Sequence, residues 1–154
     1  MHRNDAPDYS NSISNLYSMS DNTTVTGLKI LVIDDEIAIQ KILTHYFKSK
    51  HEVITFDSAK EALNWLYQGN LPDFIIADFN MPVLNGYEFI SQLTSSGFFS
   101  NIPLIMLSGE NNSDTKIKCL EAGADDFMIK PFNPRELEAR INSILRRSTK
   151  LQTV

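Results

Sequence analysis

Short apolar runs recur along the chain from Lys29 onward, at 30–33, 53–56, 74–77, 103–107 and 127–129. Their length, and the Ile and Val content of the first three, suit strands buried on both faces. Stretches of helical period lie between them. Ile39, Ile42, Leu43, Tyr46 and Phe47 follow i, i+3, i+4, i+7, i+8, one apolar stripe on a helix. Ser58 with Glu61 has capping-box spacing and opens a second helix carrying Ala62, Leu63, Trp65 and Leu66. A third helix is expected over 87–93, and a fourth over 115–122, closed by Gly123. Asn133, Pro134 and Glu136 supply an N-cap, a proline at the first helical position and a capping glutamate for a fifth. Strands alternating with helices in this way predict an α/β fold with an open, doubly wound parallel sheet and right-handed crossovers.

In such sheets ligands bind beyond the carboxyl ends of the strands, where the strand order reverses. The residues that follow each run are therefore the first candidates for chemistry. Asp34, Asp35 and Glu36 follow the first, Asp78 the third, Ser108 the fourth and Lys130 the fifth. In the flavodoxin-like order 2-1-3-4-5 the second strand, followed by Asp57, lies at the edge, while the first and third are neighbours. Asp34, Asp35 and Asp78 should then converge. One like-charge pair at about 4 Å costs roughly 4 kcal/mol at an effective dielectric near 20. A hard divalent cation offsets that cost, and an incomplete set of oxygen ligands is how Mg²⁺ is commonly held. Lys130 and the Ser108 hydroxyl add a positive charge and a donor for a tetrahedral oxyanion. Taken singly, each residue has a plainer role: a helix cap, a turn residue, an exposed lysine. Together they describe a phosphoryl site with a carboxylate nucleophile.

Composition narrows the setting. Residues 1–26 are dominated by Ser, Asn, Asp and Thr and bury too little to order themselves, so a disordered leader is expected. Ile13, Leu16 and Tyr17 nevertheless sit at helical spacing. Residues 27–148 form the folded unit, and 149–154 a tail or the start of a linker. The formal charge is −5 over 154 residues, which gives no electrostatic reason for direct binding to nucleic acid. Cys119 is the single cysteine, and no apolar run reaches signal-peptide or membrane-span length, so a cytoplasmic chain away from membranes is expected. Trp65 is expected in the core, with His45, His51 and Cys119 structural or solvated.

At these positions the sequence resembles the receiver domain of two-component response regulators. The likeness rests on ILVIDDE at 30–36, ADFNMPVLNGYEF at 77–89, IMLSG at 105–109 and GADDFMIKPF at 123–132, and covers about 27–147. It implies a stoichiometric phosphoacceptor, not a turnover enzyme, charged by a histidine kinase or phosphotransfer protein. Asp78 matches the acceptor, Asp35 a direct Mg²⁺ ligand, Asp34 its partner acting through water, and Asn80 a backbone-carbonyl ligand. Ser108 takes the switch hydroxyl position, where Thr is commoner. Lys130 matches the lysine that pairs with the phosphoryl group, with a cis bond to Pro131. Phe127 falls at the aromatic rotamer switch, where a phenyl ring reports by packing alone. Asn80 and Glu110 match polar residues that favour water attack on the acyl phosphate, implying a short-lived phosphoryl group.

Other chemistries fit less well. Phosphatases of the haloacid-dehalogenase type place a D-x-D arrangement after the first strand, which Asp34-Asp35-Glu36 does not supply. A flavodoxin-type cofactor loop needs hydroxyls and glycines where this chain has three acids. Seven residues follow Arg147, so the chain reads as a stand-alone receiver or as one cut at a linker. The surface of the fourth helix, fifth strand and fifth helix resembles the OmpR/PhoB-like class. That likeness implies a homodimer with pairs Lys116–Glu136, Asp126–Arg140 and Asp125–Arg147 around Ile117, Leu120 and Ala139.

Overall fold

The computed structural model describes residues 25–152. Five strands, β1 (Lys29–Ile33), β2 (Glu52–Phe56), β3 (Phe74–Asp78), β4 (Leu104–Ser108) and β5 (Asp126–Ile129), form one parallel sheet in the order β2-β1-β3-β4-β5. The helices α1 (Ile37–Phe47), α2 (Ala59–Tyr67), α3 (Gly86–Ser95), α4 (Ser113–Ala122) and α5 (Pro134–Gln152) alternate with them. This is the expected flavodoxin-like topology. The segment 1–24 and its three helically spaced apolar residues lie outside the described residues, whereas 149–152 of the expected tail continue α5.

Strand alternation divides the core. Ile30, Val32, Phe74, Ile76, Ile105, Leu107 and Met128 face Leu43 and Phe47 of α1 and Leu137, Ile141 and Ile144 of α5. The residues between them, among them Leu31, Ile33, Ile75, Ala77, Met106 and Phe127, face α2, α3 and Cys119 of α4. Fully burying one such Ile or Leu contributes about 1.5–3 kcal/mol, and the central strands collect that on both faces. At the edge, β2 is only partly buried along its length.

Local signals fix where helices begin. Ser58 Oγ accepts the Glu61 N–H at 3.2 Å, and Asn85 Oδ1 accepts that of Glu88 at 2.9 Å. Asn133 Oδ1 takes the Arg135 N–H at 2.9 Å, with Pro134 opening α5 as expected. Gly123 ends α4 at φ +124°, where a Cβ would also lie 2.7 Å from Thr94 Cγ2. The α1 stripe is realised in part: Leu43 and Phe47 are buried, but Ile42 is 47% exposed, and a buried place goes to Gln40 instead. Trp65 is half-buried against Phe56, and His51 Nδ1 accepts the Leu28 N–H at 3.2 Å.

Candidate functional site

Parallel strands of matched register end together, and here a charged or hydroxyl residue closes β3 and β4 and directly follows β1 and β5. Asp78 and Ser108 are the final residues of their strands, not the first beyond them. Asp34 and Asp78 are 1% and 2% exposed, whereas Asp35 is exposed. One oxygen from each of the three carboxylates lies within 4.8 Å of the others.

Lys130 is the cation inside this cluster. Its Nζ lies 2.8 Å from Asp34 Oδ2, 3.3 Å from Asp78 Oδ1 and 3.1 Å from Glu36 Oε1. The bond from Lys130 to Pro131 is cis. Backbone donors complete the set: the Glu36 N–H reaches Asp34 Oδ1 at 2.9 Å, and the Asn80 N–H reaches Asp78 Oδ1 at 3.4 Å.

The electrostatics follow from burial. Loss of water, and next the neighbouring Asp34 charge, push the Asp78 carboxyl up to about 6 against the opposing pull of Lys130. Asp34 is raised as well, chiefly by burial. Burial works against the Lys130 charge, but Asp34, then Asp78 and Glu36, outweigh it and raise the ammonium to about 12. One lysine thus pairs with three carboxylates, two of them buried, while Asp35 adds a fourth to the cluster. That excess of hard oxygen donors over positive charge suits a divalent cation of the Mg²⁺ type.

Ser108 is fully buried at the end of β4, but its hydroxyl is engaged elsewhere. Its Oγ accepts the Glu110 N–H at 3.1 Å and its O–H points to the Glu110 carbonyl at 3.4 Å. Phe127 is 4% exposed and turned inward among the α2–α4 side chains. The loop after Asp78 is folded tightly, with the Gly86 and Met81 N–H groups both donating to the Phe79 carbonyl at 2.9 and 3.2 Å. At Gly86 a Cβ would meet Met106 Sδ at 2.7 Å, so α3 starts hard against β4. Val83, at the tip, holds φ +70° while 96% exposed, a left-handed conformation unfavourable for a β-branched residue.

The remaining candidates form a separate surface. Lys116, Ile117, Leu120, Asp125, Glu136, Ala139 and Arg147 are exposed, and Asp126 and Arg140 half-exposed. Within the single chain Arg140 already pairs with Asp126 and Glu136, each at 2.9 Å. Asp125 Oδ2 accepts the Leu104 N–H at 2.8 Å, tying β5 to the start of β4.

The contacts of two residues escaped the sequence reading. Glu36 was placed after β1 but not joined to Lys130. Gln40 donates from Nε2 to the Asp34 carbonyl at 2.7 Å and to Asp57 Oδ1 at 2.6 Å. Its signal was present: Gln40, Leu43 and Phe47 stand at i, i+3, i+7, so a polar residue occupies the buried face.

Comparison with known proteins fits this geometry. The chain is 45% identical over 121 residues to "Probable transcriptional regulator ycf27" of Cyanophora paradoxa, covering 78% of this chain and 49% of that protein. It is 41% identical over 121 residues to the alkaline phosphatase synthesis transcriptional regulatory protein PhoP of Bacillus subtilis, again 78% of this chain and 49% of that protein. The chain therefore spans about half the length of the curated relatives it matches. Among solved structures, the Francisella response regulator 1452 receiver domain superposes with a TM-score of 0.71 at 32% identity, covering 79% of this chain and 99% of that one. No described helix is long and apolar enough to cross a membrane. The response regulator receiver domain pattern matches residues 30–142, and the chain belongs to that family, as a CheY-like receiver close to the OmpR/PhoB type.

Proposed function

We propose that residues 27–148 form the receiver of a two-component regulator and that Asp78 accepts its phosphoryl group. The observation that carries this reading is the buried Asp78 carboxylate, held within 3.3 Å of Lys130 and clustered with Asp34 and Asp35. A carboxylate oxygen of Asp78 would attack phosphorus in line with the leaving group. The phosphorus–nitrogen bond of a phosphohistidine, or the anhydride bond of a small acyl phosphate, would break as the acyl phosphate forms. Lys130 would face the charge on the transferred oxygens. Asp34, Asp35, Asp78 and the Asn80 carbonyl would hold Mg²⁺, which supplies further positive charge at those oxygens.

Ser108 and Phe127 would then act as the switch. For Ser108 to meet a phosphoryl oxygen its hydroxyl must leave Glu110, and Phe127, already turned inward, would repack into the space opened on that side. Phosphorylation moves this equilibrium only by its preference for one packing. Asn80 and Glu110 would admit water and shorten the phosphoryl lifetime. The phosphodonor would be a sensor histidine kinase or a phosphotransfer protein, with a cytoplasmic location.

The output reading draws on the two relatives titled transcriptional regulators. The surface of α4, β5 and α5 would make a two-fold symmetric homodimer, with Ile117 and Leu120, 51% and 38% exposed, at its centre. Since Arg140 binds Asp126 and Glu136 of its own chain, dimerisation would require those bonds to be shared or exchanged. Each exposed pair would contribute only about 0–1 kcal/mol, so the pairs set register while the apolar residues supply affinity.

The test of the acceptor is incubation with acetyl phosphate and Mg²⁺. One phosphate's mass should appear on the parent and none on Asp78→Asn; equal labelling of both would refute the assignment. For the dimer, sedimentation with beryllofluoride should show association that Arg140→Glu abolishes. A parent that stays monomeric when activated would leave a monomeric chemotaxis-like adaptor as the better reading.

A further inference from the structure

Gln40 points toward β1 and β2 and is 9% exposed. Both groups near its amide, the Asp34 carbonyl and the Asp57 carboxylate, are acceptors. Only the NH₂ end, with its two protons, satisfies them, so the orientation of the amide is fixed. The carbonyl it grips belongs to the peptide joining Asp34 to Asp35. The other side of Asp34 is also held: its N–H donates to the Phe56 carbonyl at 3.1 Å, and its side chain meets Lys130 and the Glu36 N–H. Asp35 differs. It is exposed, and its carboxylate reaches the cluster through where its backbone places it.

We propose that Gln40 is a positioning residue for the metal site: it fixes the Asp34–Asp35 peptide so that Asp35 faces the cluster, and Asp57 holds the Gln40 amide in the orientation that does so. The inference rests on reading Asp34, Asp35 and Asp78 as Mg²⁺ ligands. Asp57 itself stands at the exposed end of the edge strand and outside the three-carboxylate cluster. Its influence on the metal therefore runs through two hydrogen bonds. A Gln40 that only satisfied a buried carbonyl would affect folding and leave the affinity for cation unchanged. Groups that orient metal ligands typically alter affinity by about 10–100-fold when removed.

The experiment is a calorimetric titration of Mg²⁺ into the full, unphosphorylated chain, paired with thermal melting in chelator. Gln40→Met, which keeps an unbranched side chain but no donor, should raise the Mg²⁺ Kd about tenfold. Asp57→Ala should raise it by about threefold, and Asp57→Asn, whose amide oxygen still accepts, should restore it to about the parent value. A parent that takes up no Mg²⁺ would overturn the metal reading itself. A parent that binds while Gln40→Met binds equally well would overturn this inference and leave that reading standing. Equal losses in Asp57→Asn and Asp57→Ala would show that Asp57 acts by its charge, contradicting the bridge. Should Gln40→Met fail to fold, the exposed Asp57 pair decides the matter.

Discussion

Helices α3 and α4 cover the same face of the sheet, yet they are anchored very differently. α3 buries Gly86, Phe89, Ile90 and Leu93, whereas Cys119 is the one buried residue of α4. The first follows the strand that ends in Asp78, and the second follows the strand that ends in Ser108. The helix next to Asp78 is thus built as a fixed support, its start wedged against Met106. The helix next to the serine is lightly held, through Cys119, the Lys118 ammonium 4.0 Å above the Tyr87 ring, and the turn at Gly123. Its apolar residues Ile117 and Leu120 remain at the surface. Neighbouring strands thus carry unequal helices: the one after Asp78 is constrained, and the one after Ser108 can be moved at small cost.

The most severe way to break that contrast is to truncate each helix. Phe89→Ala removes a fully buried ring and should cost about 3–5 kcal/mol in denaturant unfolding. Leu120→Ala, on a side chain already 38% exposed, should cost under about 1 kcal/mol. Equal losses would mean that α4 is as firmly packed as α3. Hydrogen exchange sharpens the same point, with α4 amides expected to exchange faster than those of α3.

A smaller effect comes from the acidic end. Asp78 has a folded-state pKa near 6, raised by burial and by Asp34 above the usual carboxylate value of 3.8. A raised carboxyl favours the fold below about pH 4, and that contribution is lost as pH rises through 6. In chelator, Asp78→Asn should therefore equal the parent in stability near pH 4 and exceed it by about 2 kcal/mol at pH 7. Mg²⁺ should narrow the difference. A gap that does not change with pH would show that Asp78 carries no desolvation cost.

Smallest is the loop that joins β3 to α3. Val83→Asn places a residue tolerant of positive φ where an exposed, β-branched one now sits, and should add about 1 kcal/mol. No gain on chemical denaturation would place that strain elsewhere.

The sheet order and the strand ends were legible because each strand is a short apolar run and every helix but α1 has its own stop or cap. So were Asp34, Asp35, Asp78 and Lys130, since parallel strands of common register bring their ends together. What periodicity could not show was direction. Ser108 sits where expected, but which way its hydroxyl turns depends on the Glu110 backbone, a contact without a sequence signature. Likewise Arg140 was expected to reach across to a partner, and within one chain its nearest acids are its own Asp126 and Glu136. Gln40 was hidden by its neighbours: an apolar stripe wide enough to include Ile39 and Ile42 masked the polar residue that is buried with Leu43.

The central claim is that the phosphoryl group is carried by the carboxylate of Asp78. An acyl phosphate, unlike a carboxylate or a phosphate ester, is reduced by borohydride to an alcohol. After incubation with acetyl phosphate and Mg²⁺, reduction and proteolysis, peptide mass spectrometry should find homoserine at position 78 and unmodified Asp at 34 and 35. Homoserine at either of those positions, or phosphate that survives reduction on Ser108, would contradict the account.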